Sequence, residues 1–346
     1  MAVFVTGATG MLGQEIVPRM VARGDKVYAL SRNPEKDKLP AGVIPVKGDI
    51  SLPRCGLREV PPDVSEVWHM AALTSFRTKN DDILDLVNHM GTVEAVDTFR
   101  EVQRFIYVST IYVCGDTHKP FSESDFNVGQ RFRNRYESSK YQAEGFVRDN
   151  RPDAVIFRPG ILVGRYSDAS TPSFSGFYRP VKAVAACHRF AEQHLGLPRR
   201  EVVEDALGLP RLRLSIRCWG EPEARLPVAP LDWAAEAMLS SAYMTGKTLH
   251  IIPADIPKNR EVVDGVNEGM GVEGFHFCVE HRKNPLDHLY NRLVRDYLPY
   301  VRFCPVLGTS VGHTCPPVDR HFIARVVHYW RNNDLEFAGG LQEVAG

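Results

Sequence analysis

The 346-residue sequence lacks any charge imbalance: 42 basic side chains stand against 42 acidic ones. A neutral chain builds no long-range field for nucleic acid or an anionic membrane, so neither is expected as a partner. No stretch approaches the roughly 18 apolar residues that a membrane-spanning helix requires. The amino-terminal run MAVFVTGATG reaches glycine too early for a secretory leader. The seven cysteines (Cys55, Cys114, Cys187, Cys218, Cys278, Cys304 and Cys315) include no CxxC and no paired Cys/His spacing. This pattern favours reduced thiols in a cytoplasmic protein, each a small core residue, over a disulfide frame or a zinc site. Most of the twelve histidines also lack a partner at metal spacing, and no metal is expected. Repeats and low-complexity tracts are absent too, so the chain reads as an ordinary globular protein.

What is present is an alternation. Short β-branched runs at residues 3–6, 26–30, 43–50, 66–72, 104–110 and 154–160 are separated, for the most part, by helix-like segments. Strand and helix in alternation predict an α/β fold, a Rossmann-type doubly wound parallel sheet. After about residue 165 the rhythm weakens. Helical patterns at 179–195, 231–244, 286–298 and 319–332 are then mixed with short strands at 212–216 and 248–252. The expected organisation is a nucleotide-binding domain over 1–165 and a smaller, partly interleaved substrate lobe over 166–346. Segments around 212–252 are expected to return to the sheet.

The first strand runs into VFVTGATGMLG. Gly7 permits a tight turn, Gly10 lets backbone approach a pyrophosphate, and Gly13 lets helix pack on strand, with the helix amino terminus facing the anion. Gly7, Thr9, Gly10, Met11, Leu12 and Gly13 are therefore candidate cofactor contacts. At the end of the second strand, where an NAD-preferring turn places an acid, the sequence reads ALSRNPEK. Arg32 can pair with a 2′-phosphate and a carboxylate would repel it, so NADP(H) is favoured over NAD(H). Asp49 and Ile50 of GDI close the third strand, where Asp49 can accept from an adenine amino group.

RYESSKYQAE, residues 135–144, places Tyr136 and Lys140 four apart, on one face of a predicted helix. By spacing alone they are either a proton-transfer pair or two surface residues. An ammonium beside a phenol is expected to lower the phenol's pKa.

TGATGMLG, GDI, HMAA, NHMGT, YVSTIYVCG, YESSK and RPGILVG occur in the order found in extended short-chain dehydrogenases/reductases, a resemblance that spans residues 1–165. CGL at 55–57, FSGFYRP at 174–180 and LPVAPLDWAAEAM at 226–238 resemble the acyl-thioester and fatty acyl reductase branch. The resemblance implies that Thr110, or else Ser109, polarises a substrate carbonyl. It implies also that Tyr136 donates the proton, and that Lys140 tunes Tyr136 and holds the nicotinamide ribose. Ala71, Ala72 and Thr74 would lie along the pyrophosphate and ribose, and Pro159, Gly160 and Ile161 beside the nicotinamide. Asn88 would hold a strand edge or an ordered water, or else cap a helix.

Arg131, Arg133 and Arg135 directly precede Tyr136, and could meet a phosphopantetheine arm or an acidic carrier. Phe174, Phe177 and Tyr178, with Trp219, Trp233 and Phe303, suggest an apolar pocket. The expected enzyme is an NADPH-dependent reductase, monomeric or homodimeric, acting on a small-molecule or carrier- or CoA-linked carbonyl. The alternatives are an NAD-dependent nucleotide-sugar epimerase or dehydratase, and a non-catalytic NADP-sensing regulator.

Overall fold

The computed structural model describes residues 1–76, 82–194, 202–204, 210–279 and 285–334. They form two compact units. The first comprises Met1–Gly160, Leu231–Ile252 and Pro305–Thr314; the second takes the described parts of Ile161–Pro230, Pro253–Cys304 and Cys315–Gly346.

Seven strands build the first unit: β1 (Ala2–Thr6), β2 (Lys26–Ser31), β3 (Ile44–Lys47), β4 (Glu66–His69), β5 (Arg104–Val108), β6 (Val155–Pro159) and β7 (Thr248–Ile251). They lie in the order β7-β6-β5-β4-β1-β2-β3, and every pairing is parallel. The near-continuous apolar strands suit a sheet covered on both faces. Phe4, Val67, Phe105, Tyr107 and Ile156 from the strands pack with Ala95, Ala143 and Val147 from helices and with Phe99, which follows one of them. The helices of this unit include α1 (Gly13–Ala22), α2 (Gly91–Thr98), α3 (Arg135–Asn150) and α4 (Leu231–Ser241). From β1 the chain builds outward through β2 and β3, then returns to the other side of β1 for β4 to β7. The reversal lies between β1 and β4, and ligands of such sheets bind beyond the carboxyl ends at that point.

Of the 212–252 region, Thr248–Ile251 supplies the edge strand β7. Pro210–Trp219 instead pairs with Val202–Glu204 and Val272–Cys278 in a separate three-stranded sheet of the second unit. A two-stranded sheet joins Ile161–Val163 to Val228–Pro230. Helices Asn259–Met270 and Arg320–Asn333 pack closely there: a Cβ on Gly265 would sit 2.6 Å from the Ile323 Cβ, and one on Gly269 2.7 Å from the Val327 Cβ. Cys55, Cys114, Cys187 and Cys218 are buried core residues. Among the described residues no helix is long and apolar enough to cross a membrane.

Candidate active site

β1 ends in a turn whose geometry only glycine fits. Gly7 has φ +78°, and a Cβ there would lie 2.7 Å from the Ala71 amide nitrogen. A Cβ on Gly13 would lie 2.2 Å from the Gly7 carbonyl oxygen. Gly10 differs: its amide donates to the Gly7 carbonyl at 3.0 Å, and a Cβ there would meet only that oxygen, at 3.3 Å. The turn is thus packed from behind and open at Thr9 and Gly10, which are exposed, while Met11 is half-buried and Leu12 buried. The open side lies at the α1 amino terminus, where free backbone amides favour an anion.

Beyond β2, Arg32 is exposed. An acid absent from the local sequence reading also reaches this strand end: Ser31 Oγ donates to Asp37 Oδ2 at 2.5 Å. At the end of β3, Asp49 Oδ1 accepts from the amide and hydroxyl of Ser51 at 2.9 and 2.8 Å. Ile50 is buried against Gly91. A left-handed turn at Arg54 and Cys55 (φ 54° and 55°) returns the Cys55 carbonyl to the Asp49 amide at 2.9 Å.

β5 runs directly into the candidate chemistry. Thr110 is buried, caps the turn Ile111–Cys114 by accepting from the Tyr112 amide, and lies near enough to the Tyr136 phenol to oppose the rise in its pKa. Ser109 faces elsewhere, donating to Glu144 Oε2 at 2.6 Å. Tyr136 sits in the first turn of α3. Asn134 caps that helix by accepting from the Glu137 amide at 3.1 Å, and Glu137 reaches back to the Arg133 amide at 2.8 Å. One turn on, the Lys140 Nζ donates to the Val108 carbonyl at 2.7 Å and lies 4.3 Å from the Tyr107 ring centroid. The phenol is not lowered as expected. Burial pushes Tyr136 up to about 12, only partly opposed by the nearby Thr110 hydroxyl. Burial also brings Lys140 down to about 7, against the opposing charge of Glu144. Desolvation outweighs the pairing because both groups lie inside the protein, and each is pushed toward its neutral form.

Asn88 stands in a π-helical turn, Asp85–Met90. Its amide accepts from Leu73 N at 2.7 Å, donates to Leu73 O at 3.0 Å and donates to Ser139 Oγ at 3.1 Å. It therefore ties the segment after β4 to the helix that carries Tyr136. Beneath it runs a chain of donors. Thr92 Oγ1 gives its proton to the Asn88 carbonyl, so it must accept from His69 Nε2 at 3.0 Å. His69 Nδ1 then accepts from Thr6 Oγ1, which accepts from the Ala71 amide. The fully buried imidazole is neutral, with its pKa pushed down to about 3.

Ala71 and Ala72 are half-buried beside this chain, and Thr74 is exposed. Pro159 ends β6, and the Gly160 amide donates to Ile251 O at 3.1 Å. Ile161 opens a strand of the second unit.

The arginines before Tyr136 are not a common anion cluster. Arg133 pairs with Glu137 at 3.2 Å and Arg135 with Asp85, while the exposed Arg131 uses its backbone on Asp116. Phe177 and Tyr178 are buried in the core of the second unit, with Phe174 half-buried against Tyr178. Trp233 is core of the first unit, its Nε1 donating to His313 O. These side chains fill interiors because burying aromatic surface is the stronger demand on them.

Three residues escaped the sequence reading: His69, Glu144 and Arg158. Glu144 continues the 136/140 spacing by one further turn, which is the signal that could have found it.

The description of the family whose profile matches residues 3–202 is NAD dependent epimerase/dehydratase. The chain belongs to that family, within the extended short-chain dehydrogenases/reductases, whose cofactor is a nicotinamide dinucleotide. Over 181 residues it is 34% identical to the 4-hydroxy-2-methyl-3-oxo-4-farnesyl-3,4-dihydroquinoline-1-oxide ketoreductase of Stigmatella aurantiaca, covering 50% of this chain and 53% of that protein. The chain spans about half the length of that relative. Over 184 residues it is 34% identical to the hybrid PKS-NRPS synthetase pydA of Acremonium sp, covering 47% of this chain and 4% of the synthetase. In structure it resembles the terminal R domain from the myxalamid PKS-NRPS pathway, with TM-score 0.72 at 18% identity over 96% of this chain and 91% of that one. That last likeness is one of fold.

Proposed function

We propose that the protein is an NADPH-dependent reductase that delivers hydride to the carbonyl of a hydrophobic substrate. The substrate would be an acyl thioester on a carrier protein or CoA, or a ketone or aldehyde of secondary metabolism. One observation carries the reading: the buried Thr110 hydroxyl lies beside the buried Tyr136 phenol just beyond the carboxyl end of β5, with Lys140 one turn along α3. Two neighbouring hydroxyls can converge on one carbonyl oxygen. Relatives named as a ketoreductase and as a synthetase of secondary metabolism agree with it.

The bound dinucleotide supplies the hydride. The glycine cradle of Gly7, Gly10 and Gly13 would hold its pyrophosphate, and Arg32 its 2′-phosphate. Thr110 orients the carbonyl oxygen, and Tyr136 passes its proton to the oxygen as negative charge develops there. A phenol held at about 12 keeps its proton at neutral pH and still yields it to an alkoxide, a stronger base. In its charged form Lys140 steadies the phenolate left behind.

Asp37, bonded to Ser31 at the end of β2, favours a second reading. A carboxylate there can hold the ribose hydroxyl of NAD, as an epimerase or dehydratase would require. Turnover of acyl-CoA, acyl-carrier, ketone and sugar-nucleotide substrates with NADPH and with NADH separates the two. Stoichiometric NADPH consumption on a thioester or ketone is expected. Conversion of a sugar nucleotide with no net cofactor consumption would replace the first reading by the second.

A further inference from the structure

Helix α3 carries a third buried polar group on the face of Tyr136 and Lys140. Glu144 lies one turn beyond Lys140 and is fully buried. Its carboxylate accepts from Ser109 Oγ at 2.6 Å and from Arg148 Nε at 2.9 Å. It accepts also from Arg158, through Nη2 at 2.7 Å and Nε at 3.1 Å. Arg158 is itself fully buried on β6 and is held from behind, its Nη2 donating to Asp125 O at 2.7 Å and its Nη1 meeting His250 Nε2 at 3.2 Å. The other nitrogen of His250, Nδ1, stands 2.8 Å from the Gly308 carbonyl, which can only accept. The ring is therefore protonated on Nδ1 and neutral, accepting from Arg158 through Nε2. Members of this network come from α3, β6, β7 and the residue that follows β5.

Burying such a network is a poor route to stability, because desolvation consumes most of the Coulombic gain and apolar side chains would fill the space as well. Its place against the proton-transfer pair calls for another role. The geometry points to Glu144 as a positioning residue: its carboxylate pins Ser109, and with it the chain at Thr110, and sets a negative charge facing Lys140 along α3. The catalytic consequence rests on the reductase reading; the charge effect on Lys140 does not.

The groups that face Lys140 fix the sign. From its own helix come Tyr136 and Glu144. From β5 come the Val108 carbonyl and the Tyr107 ring, and from β4 the neutral His69. Arg158 and Arg148 stand behind Glu144. With Glu144 neutralised, both guanidinium charges remain uncompensated and the Lys140 ammonium is disfavoured further. Activity that needs Lys140 charged falls as pH rises through its pKa, so that fall would move to lower pH.

The test is an NMR titration of the full chain carrying 13C-labelled lysine, with Lys140 assigned by its loss in Lys140→Arg. Wild-type Lys140 should titrate near neutrality. In Glu144→Gln, which keeps an acceptor for Ser109, it should titrate about one pH unit lower. Arg148→Gln, at a half-buried position, should move it upward, and Glu144→Asp should leave it near wild type. The basic limb of kcat should move in parallel. An unchanged Lys140 titration in Glu144→Gln, or shifts of the same direction in Glu144→Gln and Arg148→Gln, would overturn the assignment. If Glu144→Gln does not fold, an unchanged titration in Arg148→Gln overturns it and an upward shift supports it. Opposite shifts without NADPH consumption on any substrate would sink the reductase reading and leave the assignment standing. NADPH consumption with an unmoved titration would do the reverse.

Discussion

Thr110 and Ser109 are adjacent hydroxyls that burial and spacing alone do not separate; their partners do. Thr110 stands beside the Tyr136 phenol, whereas Ser109 donates to Glu144. Thr110→Val should therefore lower kcat by about 10²–10³, the usual cost of one lost donor at a developing oxyanion. Thr110→Ser, which restores the hydroxyl, should recover most of it. At the cofactor end, Arg32→Ala should raise KM for NADPH about tenfold and leave that for NADH nearly unchanged if, as proposed, the side chain pairs with the 2′-phosphate alone. Equal losses with both cofactors would instead favour the Asp37 reading.

α3 holds charge where charge is costly. Lys140 has a folded-state pKa near 7 against 10.5 for the exposed side chain. Between those values the unfolded chain binds a proton that the folded chain does not, so Lys140's contribution to stability rises with pH from about 7 toward 10.5. Lys140→Met should therefore be the more stable protein at pH 7, by about 1 kcal/mol or more, with the gap closing in alkali. Denaturant midpoints of the two proteins across that range would show it, and a gap independent of pH would contradict it. The spacing of Tyr136, Lys140 and Thr110 was legible in the sequence, because helix and strand periods are local. Their desolvation was not, because burial depends on what packs above them. The glycine turn was legible for the same local reason. The π-helical turn Asp85–Met90 that seats Asn88 was not, since one extra residue in a turn barely disturbs an apolar pattern.

Over the whole molecule, the alternation of strand and helix announced the parallel sheet. Thr248–Ile251, a strand pattern inside the 212–252 stretch expected to return to the sheet, joins β6. Pro305–Thr314 has no period at all, and backbone bonds such as Phe121 N to Val306 O at 2.9 Å hold it. Three buried histidines give the molecule an acid limit. His69 is pushed down to about 3, and His188 and His250 to about 4, all chiefly by burial. Below 6.5 and above those values, unfolding takes up a proton at each ring. Stability should then fall with falling pH by up to about 1.4 kcal/mol per unit for each histidine. Unfolding free energies measured from neutrality toward pH 4 should show this slope, and His69→Gln should reduce it by about a third. A flat profile would mean that the rings are solvated.

The central claim is that Tyr136 is the proton donor of a hydride transfer. It is tested most directly by following NADPH consumption on a reactive acyl-CoA or ketone with wild type and Tyr136→Phe, alongside NADPH binding by fluorescence. In Tyr136→Phe kcat should fall by about 10²–10⁴ with cofactor affinity kept, because the phenyl ring fills the same space without the proton. Undiminished turnover in Tyr136→Phe would contradict it.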